Sequence, residues 1–292
     1  MSFWRLAALS LFLMEGYHRT RRRTVVETTN LPQTRARQGL HDSYRMQRGA
    51  PAPAMSEPAD PTSLPVPASA AVLAGHAWFG ELAPAHQALA ARETLLQSFA
   101  AGSFIARRGE PSRHWIGVDS GLIKLAVYTP DGRGCTFSGV PAGGWCGEGS
   151  VIKREHRRYD VIAIRDSQVL LVPEPVFNTL LAQSLPFASF VVRQLNERMG
   201  QFIATVQNDR LLGADARVAQ AIAQLFHPDL YPRTSPVLEL SQEEIGLLTG
   251  LSRQRVNQAL RRLADAGMVS LSYQSIRVTD LPRLRHFGMS EL

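Results

Sequence analysis

The stretch from Leu240 to Val278 restricts this chain more than any other, because it holds two helix starts, a tight turn and a hairpin in close succession. Ser241 stands at an N-cap, Glu244 completes a capping box three residues on, and Leu240 and Ile245 form the hydrophobic staple around them. Gly246 lets a second helix approach, and Gly250 suits the left-handed residue of a tight turn. Ser252 caps that second helix, which buries Val256, Leu260 and Leu263 and stops at Gly267. Met268–Ser272 and Ile276–Val278 then flank a short turn, as in a β-hairpin. Together these features predict a winged helix-turn-helix.

The side of the second helix turned away from its apolar stripe carries Arg253, Gln254, Arg255, Asn257, Gln258, Arg261 and Arg262. Such long or bidentate polar groups suit phosphates and base edges, so double-stranded DNA is the expected partner. The first turn of this helix has no acid, whereas an ordinary exposed helix favours Asp or Glu there.

Upstream, the pattern divides into three further parts. Residues 1–71 show no sustained period and are broken by Pro51, Pro53, Pro58, Pro61, Pro65 and Pro67, so a disordered tail is expected, with Met55 reading as an ordinary start. Residues 72–185 are expected to form a sensor domain. Helices over 78–99, with Pro84 as a starter, give way to strands at 123–127 and 135–140 around an Asp131-Gly132 turn, then at 161–164 and 169–172. The alternation and the many glycines predict a compact antiparallel β-roll. Residues 186–212 read as one long helix whose stripe of Val191, Leu195, Met199, Phe202 and Val206 is expected to pair with a second copy. Residues 213–292 hold the winged domain.

Composition narrows the function classes. Net charge is +7, yet residues 1–54 hold nine Arg against Glu15, Glu27 and Asp42, which accounts for +6 of it. The overall charge therefore describes the tail rather than the winged domain. Two cysteines, Cys135 and Cys146, argue against a disulfide-built fold and fall short of the four thiolates of an iron–sulfur cluster. His76, His86, His114 and His156 lack metal-ligand spacing. No metal site, catalytic set or phosphate loop is expected. The apolar run 6–14 is too short for a bilayer span, which needs about 20 residues, and its flanking charges run opposite to those of a signal peptide.

The order of β-roll, long helix and winged helix-turn-helix over residues 75–286 resembles the CRP/FNR family of bacterial transcriptional regulators. Gly147-Glu148 resembles the turn that opens the family's ligand cassette. Leu195-Asn196-Glu197-Arg198 resembles its dimer helix, and Leu251-Ser252-Arg253-Gln254 the start of its recognition helix. The resemblance implies an α+β chain with a cyclic-nucleotide-binding-like jelly roll, a dimerisation helix and a winged helix-turn-helix. It also implies a cytoplasmic homodimer, away from any membrane, that acts on a two-fold symmetric operator with RNA polymerase. By resemblance, Arg253 meets phosphate or guanine, and Gln254, Asn257 and Gln258 meet bases. Relatives often carry Glu and Arg where Gln254 and Gln258 stand, so a different operator sequence is implied.

In nucleotide-binding relatives, backbone N–H groups at a short helix start and one Arg hold the cyclic phosphate. The matching set here is Gly147, Glu148, Gly149, Ser150 and Arg158, with Tyr159 beside it where binders carry a small hydroxyl residue. Phe202 and Ile203 replace hydroxyls that would face the base. The expectation is therefore a roll that keeps the turn without a bound nucleotide, its effector unidentified. The alternative, a cyclic-nucleotide-binding signalling module with no DNA role, would leave the polar face of the second helix without a purpose.

Overall fold

The structure, a computed structural model, describes residues 63–289. Period-2 alternation turns much of 95–173 into strands whose side chains face opposite sides in turn. β1 (Val66–Pro67), β2 (Leu95–Phe99), β9 (Ser167–Pro173), β4 (His114–Ser120) and β7 (Trp145–Cys146) form one antiparallel sheet in that order. β3 (Phe104–Ala106), β8 (Asp160–Ala163), β5 (Leu122–Tyr128) and β6 (Gly134–Pro141) form a second. Ile116, Val118, Val169 and Leu171 of the first sheet share a buried cluster with Ile123, Leu125, Val140 and Val161 of the second. The sheets thus close face to face as a jelly roll. The expected turn joins β5 to β6, with Thr129 N–H donating to Arg133 O at 2.8 Å and Gly132 at φ 83°.

Two expectations need correction. Leu95–Phe99 is a strand rather than the end of a helix, pairing Leu95 with Leu171 and Phe99 with Ser167. A five-residue run with Leu95, Leu96 and Phe99 apolar does not fix its own period, and pairing with β1 and β9 decides. Residues 63–71 are structured, not tail. Val66 pairs with Leu96, Ala68 is buried, and Ser69 caps α1 (Ala70–Ala74). The strand borrows its partner from β2, and Pro67 sits on a sheet edge where its missing N–H leaves no ladder bond broken. The rest of the expected tail, 1–62, lies outside the described residues.

α1, α2 (Ala77–Gly80), α3 (Pro84–Glu93, with Pro84 in its first turn) and α5 (Glu174–Gln183) cover the outer face of the five-stranded sheet. Trp78, Trp115, Trp145, Phe177 and Phe187 meet there, with the Trp115 and Trp145 rings stacked 3.9 Å apart. Phe187 belongs to α6 (Leu185–Leu211), which Ser184 caps by accepting from Phe187 N–H at 3.4 Å.

α6 is amphipathic in an inverted sense. Past its first turns, the side facing its own chain is polar: Gln194, Arg198, Gln201 and Asn208 are buried. Gln194 donates to Asp229 O at 2.8 Å, and Gln201 accepts from the Tyr231 hydroxyl at 3.1 Å. The apolar residues Val192, Leu195, Met199, Phe202, Ile203 and Val206 are the exposed ones. Of the expected stripe, Leu195, Met199, Phe202 and Val206 are exposed, and Val191 is not. Val191 is buried among Trp78, Phe187 and Phe190, and Val192 takes the outward place.

The winged domain is α7 (Ala214–Gln224), β10 (Val237–Leu238), α8 (Gln242–Thr249), α9 (Arg253–Asp265), β11 (Val269–Ser272), β12 (Ser275–Val278) and α10 (Leu281–His286). Its core joins Val218, Ile222, Ile245, Val256, Leu260, Leu263 and Ile276, and Leu122 of the roll enters the same cluster. In return Leu230 and Tyr231, from the segment after α7, fill the interior of the roll. Arg233 pairs with Asp119 of β4 at 3.0 Å. Among the described residues no single helix is long and apolar enough to cross a membrane.

Candidate DNA-reading face and sensor turn

Ser241 accepts from Glu244 N–H at 3.1 Å and Ser252 from Arg255 N–H at 3.4 Å, so both expected N-caps form. A Cβ on Gly246 would lie 2.8 Å from Leu251 O, which shows why the contact between α8 and the start of α9 needs a glycine. Gly250 adopts φ 65° in the turn. The Glu244 side chain does not close the capping box. It reaches Lys124 of β5 at 2.8 and 3.1 Å, a half-shielded ion pair between the roll and the first helix of the motif. An acceptor can serve either its own helix or a buried ammonium, and the ammonium is the stronger donor.

α9 buries Val256, Ala259, Leu260 and Leu263. At 100° per residue, Gln254, Gln258 and Arg261 lie opposite that side and are exposed. The other residues of the expected reading set sit on its flanks. Arg253 lies beside the wing, in a groove shared with Tyr273 and Ser272. Asn257 is half-buried and donates to Gln242 at 3.2 Å, so it also serves α8. Arg255 donates to Gln258 at 3.2 Å, and Arg262 is held by Asp215 of α7. The wing turns at Tyr273-Gln274, with Tyr273 fully open to solvent at its tip.

In the roll, Gly147 takes φ 91° and opens α4 (Glu148–Lys153). The Glu148 carboxylate is buried against Arg198 of α6, whose Nε lies 3.1 Å away and whose guanidinium also donates to Trp145 O at 2.5 Å. Gly149 and Ser150 follow in the same turn, with Ser150 buried. The basic partner of this turn is Arg157, not Arg158. Arg157 is buried, donates to His114 O at 2.7 Å, and its Nη1 lies 2.8 Å from the Cβ position of Gly147. Its backbone pairs with Gly109 and Glu110, so alternation turns its side chain inward and sends Arg158 outward to Glu155. A spacing of ten from Glu148 selected the outward neighbour, whereas counting back from the buried alternation of β8 would have found Arg157.

Three buried atoms at this turn have no partner: Glu148 Oε2, Arg157 Nη1 and Arg198 Nη1. Arg157 and Arg198 thus each keep a free donor here, and Glu148 a free acceptor. Tyr159, next to Arg158, packs against the roll's interior cluster, and burial pushes its hydroxyl pKa up.

A cyclic nucleotide-binding domain profile matches residues 96–184, and a Crp-like helix-turn-helix domain profile matches residues 216–287. The chain belongs to the CRP/FNR family. This CRP/FNR-family transcriptional regulator is 26% identical over 202 residues to the CRP-like cAMP-activated global transcriptional regulator of Mycobacterium tuberculosis, covering 68% of this chain and 90% of the relative. It is 26% identical over 225 residues to the cyclic AMP receptor protein of Thermus thermophilus, covering 74% and 99%. Among solved structures, a CRP-family transcriptional regulator from Thermus thermophilus aligns with TM-score 0.51 and 25% identity, over 66% of this chain and 96% of that one.

Cys146 is fully buried, and burial raises its thiol pKa to about 12, which keeps it a thiol. Among the described residues, Glu197, His227 and Asp229 are the one group close enough to share a cation. However, His227 Nδ1 accepts from the N–H groups of Asp229 and Leu230, both at 3.3 Å. The neutral ring must then carry its proton on Nε2, where it faces Glu197 at 3.4 Å with no lone pair for a metal.

Proposed function

We propose that two copies of this regulator associate through α6 and read a two-fold symmetric DNA site with paired α9 helices, acting with RNA polymerase in the cytoplasm. The observation that carries the reading is the inversion of α6. Its polar side is buried and hydrogen-bonded within the chain, which leaves Val192, Leu195, Met199, Phe202 and Val206 exposed at spacings of three, four, three and four. That is a heptad seam, and a second copy of the same helix satisfies it. A two-fold axis along α6 relates two α9 helices, and helix-turn-helix dimers of this kind read half-sites about one helical turn apart. Gln254, Gln258 and Arg261 then supply base contacts, with Arg253, Arg255 and Arg262 toward phosphates.

The relatives named for cyclic AMP make a cyclic nucleotide the first effector class to test. The partnerless Arg157 and Arg198 donors support an anion, and the packing of Tyr159 opposes a purine beside it.

Binding selection on randomised duplexes tests the proposal. The wild-type protein is expected to return an inverted repeat. Gln254→Ala should relax preference at one symmetric pair of positions, by about 1–3 kcal/mol per bidentate contact. Unchanged preferences in that variant would remove Gln254 from the reading set, and no preference at all in the wild type would remove the DNA reading.

A further inference from the structure

α9 has two flanks, and they differ. On the wing side stands Arg253 alone among the basic residues of the helix. On the other, Arg255 and Arg262 open into a groove whose far wall is α10, with Arg283 and His286 lining it, and whose floor includes Met268 and Phe287. Asp215 is the one acid in that lining. Arg255, Arg262 and Arg283 are all exposed. Arg262 is held by Asp215, while the closest acid to Arg283 is Asp280, at 3.9 Å.

We propose that this groove seats the sugar–phosphate backbone beside the bases that α9 reads, with Arg283 of α10 as a phosphate contact outside the helix-turn-helix itself. The inference rests on the DNA-binding reading above. An α-helix with its side chains is about 10–12 Å across, and the major groove is about 12 Å wide. A helix whose Gln254 and Gln258 face the groove floor therefore turns its flanks, about 100° away, toward the phosphate rims. Arg255 and Arg262 occupy one such flank, and α10 continues the same basic wall beyond the end of the helix. Asp215 acts in the opposite direction. It occupies Arg262 in the free protein, so phosphate and Asp215 compete for one guanidinium.

The test is equilibrium binding of the full-length protein to a selected site and to random duplex, from 50 to 200 mM salt, with base preference measured in parallel. Arg283→Gln should weaken both duplexes and leave base preference unchanged. Each lost phosphate contact flattens the slope of log affinity against log salt by about 0.9, so over this fourfold rise the variant should lose about 3.5-fold less affinity per subunit than the wild type. Asp215→Asn, by releasing Arg262, should bind both duplexes more tightly, a gain that misfolding cannot mimic. Wild-type slopes in both variants, beside a clear base preference, would overturn the groove and leave the DNA reading standing. If such slopes came with lowered transcription from a promoter carrying the site, the occupant would be an acidic protein surface instead. A wild-type protein with no base preference would overturn the DNA reading and the groove together.

Discussion

Replacing Arg198 with Met tests whether the buried Glu148–Arg198 pair ties the long helix to the roll. The two side chains are 5% and 9% exposed, the contact is 3.1 Å, and Arg198 also donates to Trp145 O. Met keeps much of the volume and removes the charge, so Glu148 is left buried and unpaired. Stranding one member of a buried pair costs about 3–5 kcal/mol. At a urea dependence of about 2 kcal/mol per molar, the midpoint should fall by about 2 M. Trp78, Trp115 and Trp145 lie in the adjoining core, so intrinsic fluorescence reports the unfolding directly. The double variant Glu148→Leu/Arg198→Met removes both charges and should recover most of the loss, since well-packed apolar replacements of buried pairs are often neutral or better. A loss below about 1 kcal/mol in the single variant, or no recovery in the double, would refute the reasoning.

Phe202→Asp places a charge in the exposed seam of α6. If a second copy covers that seam, a penalty of about 3 kcal/mol raises the dimer dissociation constant roughly a hundredfold, visible by sedimentation; an unchanged dimer would move the interface elsewhere. His76 gives a pH dependence of known sign. Burial, and then the charge of Arg233, lower its pKa from 6.5 to about 4 despite Asp119, so the folded protein holds it neutral. Its contribution is complete above pH 6.5 and is lost as the pH falls toward 4, by roughly 3 kcal/mol in all. Thermal stability should therefore drop over that window more steeply in the wild type than in His76→Asn, and parallel curves would exclude His76 as the cause.

The parts of this protein readable in advance were those where local chemistry and tertiary structure agree. Ser241, Ser252, Gly250 and Gly267 act through their own turns, and their roles survive in the structure. Elements that borrow partners were not readable. β1 and β2 become strands because a sheet receives them. Glu244 gives up its capping box to Lys124, more than a hundred residues away. Arg157 and Arg158 stand side by side in the sequence, and only pairing with Gly109 and Glu110 decides which one turns inward. On α6, apolar spacing alone could not say which polar residues face home. Gln194, Arg198 and Gln201 do so because partners on the roll and the winged domain await them.

The exchange of side chains between the two domains limits how a protein of this build can diverge. Leu122 completes the core of the winged domain, while Leu230 and Tyr231 complete that of the roll. The crossing at Gly213 is thus a seam in topology but not in packing. A winged domain transplanted from another regulator would arrive with a segment after α7 shaped for a different roll, leaving a void on one side and a misfit on the other. On the proposed reading of α9, new binding specificity is reached more readily by single substitutions on its open side, where Gln254 and Gln258 touch neither core, than by recombination of whole domains.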